Sequence, residues 1–439
     1  MKGIIRFSNN LMERYLPDPF LFVIILTLVV FGLGLGLTDS SPVEMVAFWG
    51  GGFWELLAFS MQMVLVLVTG FVLASSPIFK KGLGKLASFA KSPGSAIIWV
   101  TLVSLAASWI NWGFGLVIGA LFAKELAKRV DHVDYRLLIA SAYSGFIIWH
   151  AGFSGSIPLS IATDGHPFMD RIGIIPTGDT IFASYNLIII AALVIILPLL
   201  NRLMMPKKDE TIVVDPKVLV EPKVEEQPEK ADRTPAERLE NSWILSAIIG
   251  VLGVAFIAYY FIQNGFALNL NLVNFMFLFL GILFHGTPRK YLIAVQEAVK
   301  GAGGIIVQFP FYAGIMGMMV SSGLAAVISE AFVSVSTAET FPLFAFLSAG
   351  IVNFFVPSGG GQWAVQAPIM LDAAEMLGSD PAKVAMAVAW GDAWTNMIQP
   401  FWALPALAIA GLKAKDIMGF CLIVLFVSGA VIGLGLLFL

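Results

Sequence analysis

One acidic residue lies within a long apolar stretch of this sequence, in the segment WGDAWTNMIQP (390–400). Asp392 is followed closely by Thr395, Asn396 and Gln399, so several oxygen-bearing side chains fall together. A carboxylate inside a membrane span is costly and is by default a functional residue. We expect Asp392, with Asn396 and Gln399, to bind Na⁺ or to carry a proton; the alternative is a satisfied structural group.

A second interrupted apolar stretch, WHAGFSGS (149–156), carries a histidine. His150 is a further candidate for the coupling ion, although a lone histidine in such a place is more often structural. Asp179, in TGDT, lies nearer the outer interface and is expected to cap the following helix.

Two more breaks, NWGFG (111–115) and NFFVPSGGGQW (353–363), interrupt apolar runs with glycine and proline. A break leaves free N–H groups at the start of the next helix, where the helix dipole favours a carboxylate. Glycine lets a ligand approach the backbone closely. The predicted substrate-binding residues are those of the four breaks that offer such groups: Asn111, Trp112, Gly113, Gly115, Ser154, Gly155, Ser156, Asn353, Ser358, Gly359, Gly360, Gly361, Gln362, Thr395 and Asn396.

Aromatic residues accompany these breaks, and lysine and arginine do not. Trp112, Phe114, Trp363 and Trp394 are candidates to enclose an apolar tail, with packing in the membrane as the alternative. Without a basic residue, an anion must be held by helix ends, hydroxyl groups and a co-transported cation. This favours a small monocarboxylate over a di- or tricarboxylate.

The composition places these residues in an integral membrane protein. Of 439 residues, 58% are hydrophobic and 13% are charged, and the mean hydropathy is +0.87, too apolar for a soluble domain. The single cysteine, Cys421, excludes an internal disulfide and a multi-thiolate metal site. No cofactor is predicted beyond the coupling cation, and the first apolar run is expected to be retained rather than cleaved as a signal peptide.

The length of the apolar runs predicts an all-α polytopic protein. Basic residues gather before the first run and in alternate connections, which places the N-terminus in the cytoplasm. The same asymmetry requires 97–123 and 341–371 to enter and leave on one side, as re-entrant helical hairpins. About nine crossings remain, with the C-terminus outside: 19–37, 53–74, 137–161, 181–200, 243–262, 270–284, 303–320, 384–410 and 418–439.

The two halves of the sequence align at an offset near 246 residues. Pro42 and Gln62 match Pro288 and Gln308, and SIPLSIA (156–162) matches ALPALAIA (403–410). Since one copy begins inside and the other outside, we predict inverted-topology repeats, the pattern typical of secondary transporters. The predicted organisation is an N-terminal interfacial segment (1–17), a first repeat (18–201), a charged, mobile cytoplasmic linker (202–241), and a second repeat with one extra leading helix (242–439).

Several motifs resemble one known family, the short-chain fatty acid transporters of the AtoE type. They are LPDPF, WGGGFWELLAFSMQM, INWGFGLVIGA, GFSGSIPL, VQFPFYAGI, VPSGGGQW and QPFWALPALAIAGL, in order along nearly the whole chain. The resemblance implies uptake of acids such as acetoacetate or butyrate, driven by Na⁺ or H⁺, across a bacterial inner membrane. It also implies the wider ion transporter superfamily, with an elevator motion and a homodimer.

Three other functions remain open at this point. A cation/proton antiporter of related architecture would need no organic anion, and an anion channel would also use glycine-rich re-entrant loops. An intramembrane serine hydrolase would use Ser154 as its nucleophile and His150 as its base, but it would explain neither the duplication nor the second hairpin. The sequence favours a transporter over an enzyme.

Overall fold

The structure, a computed structural model, describes residues 19–219, 234–353, 356–399 and 402–439. These residues form α-helices and short 3₁₀ segments, and no β-strand occurs among them. The predicted interfacial segment 1–17, part of the predicted linker, and residues 354–355 and 400–401 of the two breaks in the second half lie outside the described residues.

The first half contains long apolar helices separated by short amphipathic ones. Its helices are α1 (Pro19–Leu37), α2 (Pro42–Gly52), α3 (Leu57–Ala74), α4 (Pro77–Ala87), α5 (Pro93–Ile110), α6 (Trp112–Arg129), α7 (Tyr135–Ser144), α8 (Ser156–Ile161), α9 (Met169–Ile172) and α10 (Ser184–Leu203). A 3₁₀ segment, Gly145–Ala151, continues α7 toward the break before α8.

The second half has the same character. After the short α11 (Pro235–Glu240), its helices are α12 (Trp243–Asn264), α13 (Leu270–His285), α14 (Pro288–Val299), α15 (Gly303–Ser321), α16 (Leu324–Val335), α17 (Phe341–Val352), α18 (Gly359–Leu377), α19 (Pro381–Thr395), α20 (Ala403–Ala410) and α21 (Ala414–Phe438).

Within the described ranges, the order of elements in the first half recurs in the second. Helices α1 to α8 and then α10 correspond in order and character to α13 to α21, apart from the short α9. Proline at the first helical turn begins α2 and its counterpart α14, where its missing N–H costs nothing. Helix α12 has no counterpart and lies where the extra leading helix is predicted.

Seven helices in the described part of the chain are long and apolar enough to cross a membrane. Six coincide with predicted crossings, and the seventh, Pro93–Ile110, is an arm of the first predicted hairpin. Val23–Leu37 and Leu270–His285 match two further crossings but are shorter. The prediction of an all-helical, multi-pass membrane protein is confirmed.

Glycine allows helices α2 and α15 to pack closely against each other. A Cβ on Gly52 of α2 would lie 2.9 Å from the carbonyl oxygen of Ala313 and 3.0 Å from the Cα of Gly317. Small residues allow membrane helices to approach this closely. Helices α3 and α15 contact each other and also pack against α6 and α18, respectively, the helices that follow the two glycine-containing breaks.

Part of the predicted linker is held by hydrogen bonds to the start of α7, although its side chains are largely exposed. The N–H of Tyr135 donates to the carbonyl of Ile212 at 2.8 Å, and the N–H of Ile212 donates to the buried carboxylate of Asp134 at 2.9 Å. Asp134 also accepts from the N–H of Leu137 and so caps α7. This carboxylate therefore holds both the start of α7 and the polar segment after α10.

Candidate functional site

A buried histidine and a buried aspartate join the two broken helices. The Nδ1 atom of His150 lies 2.8 Å from Oδ2 of Asp392, and both residues are fully buried. His150 belongs to the 3₁₀ segment after α7, and Asp392 belongs to α19. Two of the four residues predicted for the coupling ion, His150 and Asp392, are therefore direct partners.

The second ring nitrogen of His150 also has a partner, the backbone N–H of Ile157, at 3.1 Å. A backbone N–H can only donate, so Nε2 must carry a lone pair. Nδ1 then carries the proton and donates to Asp392. These two contacts fix the orientation of the imidazole beside the start of α8.

Polar side chains connect the second hairpin to α19. Asn353, at the end of α17, donates through Nδ2 to the hydroxyl of Thr395 at 2.9 Å. Asn396 accepts from the indole N–H of Trp149 at 3.1 Å. Thr395 and Asn396 follow Asp392 by about one turn, so these contacts tie both breaks of the second half to the break that carries His150.

Two side chains cap the first helix break. Asn111 accepts from the N–H of Phe114 at 2.9 Å, and Ser154 accepts from the N–H of Trp112 at 2.9 Å. Helix α6 therefore begins with two of its free N–H groups satisfied, one of them by a residue from the neighbouring break. This geometry gives Ser154 a structural role and joins the first hairpin tip to the broken helix.

The second hairpin tip brings its glycines against three aromatic groups. Ser358 caps α18 by accepting from the N–H of Gly361 at 3.4 Å. A Cβ on Gly359 would lie 2.5 Å from a ring carbon of His150, and one on Gly360 would lie 2.7 Å from the ring of Phe59. A Cβ on Gly361 would overlap the ring of Tyr312. Each glycine is required by close approach.

The hairpin tips and broken helices enclose a small cavity. Its volume is about 10 Å³, room for about one water molecule. Of the predicted substrate-binding residues, it brings together Trp112, Ser156, Ser358, Gly359 and Gly360. The remaining lining residues are not among those singled out in the sequence: Met63, Phe146, Trp149, Ile305, Phe309 and Trp402.

Other predicted residues lie near the cavity without lining it. Gln362 donates to the carbonyl of Ala349 at 2.8 Å and to Gln366 at 2.7 Å, and so stabilises the hairpin. Gly113 and Gly115 allow α6 to pack closely against α3 and α5. Gly155 lies against the carbonyl of His150, and Gln399 is buried at the end of a described segment.

Three of the four predicted aromatic residues face elsewhere. The ring of Phe114 packs edge-on against Phe79, and that of Trp363 packs against Phe168. Trp394 donates to the carbonyl of Leu425 at 2.7 Å, on α21. Only Trp112 of this group lines the cavity, because the others lie on helix faces turned toward neighbouring helices.

Several buried polar atoms at the site lack a hydrogen-bond partner among the residues that the structure describes. They are Oδ1 of Asp392, Nδ2 of Asn396, Nδ2 of Asn111 and Nε1 of Trp112. A buried polar group without a partner costs free energy. A buried polar atom of this kind beside a cavity is a candidate contact for a polar ligand or ion.

A larger cavity of about 280 Å³ lies further along α15 and α18. Its lining includes Phe168 and Arg171, together with Met316 of α15 and Pro368 of α18, which lie about two helical turns beyond the inner cavity on their helices. Arg171 also forms ion pairs with Asp372 and, at 3.4 Å, with Glu375. The loop between α8 and α10 is thereby tied to α18.

Comparison with known proteins identifies close relatives over the whole length. A protein of Escherichia coli K12, provisionally named a short-chain fatty acid transporter, is 50% identical over 433 residues, which cover 99% of this chain and 98% of the relative. A Haemophilus influenzae protein with the same provisional name is 48% identical over 441 residues, covering 99% of each.

Two solved structures share the fold at low identity. The YdaH transporter of Alcanivorax borkumensis matches with a TM-score of 0.57 and 14% identity, covering 95% of this chain and 98% of that one. MtrF of Neisseria gonorrhoeae, described with a class of antimetabolite efflux pumps, matches with a TM-score of 0.50 and 14% identity, covering 98% and 97%. These similarities show that the chain shares the fold of these two structures.

The family assignment follows from the sequence as a whole. The model of the short chain fatty acid transporter family matches residues 1–439, and both curated relatives are named as transporters rather than enzymes. This chain belongs to the short chain fatty acid transporter family.

Proposed function

We propose that this protein is a secondary active symporter that concentrates small monocarboxylates such as acetoacetate or butyrate, driven by a Na⁺ or H⁺ gradient. The observation that carries the proposal is the bond between His150 and Asp392. It joins the breaks of the two halves beside a cavity lined by the second hairpin tip. Substrate and coupling ion would therefore bind beside each other, where the breaks of the two halves meet.

The substrate carboxylate binds at the start of α18. Ser358, Gly359 and Gly360 line the cavity there, and the dipole of this 19-residue helix favours an anion at its N-terminus. The indole N–H of Trp112 lies on the same cavity as a buried donor that lacks a partner within the described ranges. A carboxylate would satisfy it.

The coupling cation binds at Asp392. Its Oδ1 atom is buried and lacks a partner in the part of the chain described, so it can accept a proton or contribute to a Na⁺ site with neighbouring oxygens. Asn396 and Thr395 lie one turn away, and His150 holds the other carboxylate oxygen. A cation here would neutralise the carboxylate of Asp392 and so remove its repulsion of a bound substrate carboxylate.

At the level of the whole protein, we infer inverted repeats, two re-entrant hairpins and an elevator motion of the hairpins and broken helices. The recurring order of elements supports the duplication. A cavity of about 10 Å³ is too small for butyrate, which supports a closed state that must open by moving these elements. A homodimer in the bacterial inner membrane, with its N-terminus cytoplasmic and its C-terminus external, completes the proposal.

The geometry weighs against the serine hydrolase. Both ring nitrogens of His150 have other partners, and the Ser154 hydroxyl accepts from a backbone N–H. His150 is therefore not placed to act as a general base for Ser154. An antiporter would also use Asp392, but it would not require the apolar cavity beside the hairpin tip.

Transport in proteoliposomes tests the proposal. Accumulation of labelled butyrate is measured with a Na⁺ gradient and a pH gradient imposed separately, with acetate, acetoacetate and succinate as competitors. We expect saturable accumulation against the substrate gradient with one of the two driving forces, and no competition by succinate. Downhill flux alone would indicate a channel, and proton movement driven by Na⁺ without any acid would indicate an antiporter.

A further inference from the structure

The small cavity has two chemically different walls. One wall contains Ser156, Ser358 and the glycines at the start of α18. The lining also includes an apolar wall from two neighbouring helices, with Met63 of α3 and with Ile305 and Phe309 of α15. A short-chain acid has the same division, with a carboxylate at one end and an alkyl chain at the other.

The apolar wall comes from equivalent positions of the two halves. Met63 and Phe309 are separated by the repeat offset, since 309 − 63 = 246, and Phe59 and Ile305 are separated by the same interval. The rings of Phe59 and Phe309 meet edge-on with centroids 5.8 Å apart. Helices α3 and α15 thus place apolar side chains from matched positions of the two halves beside the cavity.

These side chains are distinguished from their neighbours by the direction in which they face. Met63 is 3% exposed and Ile305 is 7% exposed, whereas Met61 and Ile306 on the same helices are 55% and 50% exposed. Helix α3 therefore presents Met63 to the cavity and Met61 to the outside, and helix α15 presents Ile305 to the cavity and Ile306 to the outside.

We propose that Met63 and Ile305, with Phe309 behind the hairpin tip, form the end wall of the acyl-chain pocket and set the longest acid that the transporter accepts. The inference rests on the proposed function, since it assumes that the carboxylate lies at Ser358. Each methylene that the pocket buries strengthens binding by about fourfold. A methylene that meets the wall must displace a packed side chain, which reverses the gain.

Shortening the wall tests the proposal by a gain of function. Met63→Ala and Ile305→Ala are assayed by competition of acetate, butyrate, hexanoate and octanoate against labelled butyrate uptake. We expect the affinity for hexanoate relative to butyrate to rise by ~4- to 15-fold in each variant, as one to two further methylenes are buried. A gain for a longer acid cannot result from loss of folded protein.

The matched controls are Met61→Ala and Ile306→Ala, which make the same chemical change on the outer faces of the same helices. The preference of these two variants for hexanoate over butyrate should equal that of the wild type. The variant Ile305→Phe enlarges the wall instead. It should lower the affinity for butyrate by ~10-fold and the affinity for acetate by less, since only the longer chain meets the enlarged wall.

The outcomes separate this inference from the proposed function. If the wild type shows no saturable uptake of any of these acids, the proposed function fails and the pocket assignment fails with it. If the wild type transports butyrate but the cavity-facing and outward-facing variants share one chain-length profile, the end wall is assigned wrongly and the transport function stands.

Discussion

His150 and Asp392 form a pair whose two members have different constraints. The imidazole is held on both sides, by the carboxylate and by the N–H of Ile157. The carboxylate is held on one side only, because its Oδ1 atom lacks a partner among the described residues. Within the pair, the proposed exchange of a proton or a cation therefore falls to Asp392, which the contact with His150 would position.

Replacing Asp392 by asparagine should abolish concentrative uptake while leaving substrate exchange measurable. The asparagine oxygen can still accept the bond from His150, so packing is retained, but the charge that attracts the cation is lost. Accumulation against a gradient and counterflow exchange are measured in proteoliposomes, with Asp39→Asn at an exposed loop position as the control. Unchanged accumulation in Asp392→Asn would show that coupling lies elsewhere.

Replacing Trp112 by phenylalanine tests the proposed donor to the carboxylate. The ring is retained, but a hydrogen bond to a charged group is removed, which should raise the KM for butyrate by ~10-fold. Trp109→Phe is the matched control: its indole N–H also lacks a partner within the described residues, yet Trp109 does not line the cavity. Equal KM values in the two variants would contradict a contact from Trp112.

The hairpin tips and broken helices work as connected elements rather than as separate loops. Ser154 of one break caps the helix after the first hairpin tip. Asn353 at the second hairpin binds Thr395 of α19, and Trp149 binds Asn396. Movement of any one of these elements would break buried hydrogen bonds unless the others moved with it, which favours motion as a unit.

Replacing Gly360 by alanine should obstruct the second hairpin tip. The added Cβ would lie 2.7 Å from the ring of Phe59 and 3.3 Å from that of Phe309, and rigid rings cannot yield as a flexible side chain would. Such overpacking costs ~1–3 kcal/mol, so butyrate uptake should fall by ~10-fold or more. Gly303→Ala on α15, where a Cβ meets nothing within 4 Å, should transport normally; parallel losses in both would argue against a crowded tip.

At the scale of the whole molecule, the opposite orientation of the two halves is open to direct measurement. Ser88 follows α4 and Ser334 lies in its counterpart α16, at equivalent positions since 334 − 88 = 246, and both are exposed. In a Cys421→Ala background, a cysteine at Ser88 should react with a membrane-impermeant thiol reagent only from the cytoplasmic side. A cysteine at Ser334 should react only from outside. Labelling of both from one side would exclude inverted repeats.

The sequence by itself determined the class of protein and the positions of the breaks. Composition and the length of the apolar runs required membrane helices, since backbone in lipid must satisfy its own hydrogen bonds. Glycine, proline and the polar residues around Asp392 marked where those helices are interrupted. The repeated spacing also predicted which elements correspond, and the observed order of helices agrees with it.

Only the tertiary structure decided which residues meet. The bond between His150 and Asp392 spans 242 residues of sequence, and no local pattern specifies such a partner. The apolar wall of Met63, Ile305 and Phe309 was also invisible beforehand, because lipid and a buried cavity both select apolar side chains. In a soluble helix, polarity distinguishes the two faces; in a membrane helix, the packing of neighbouring helices decides which face becomes the pocket.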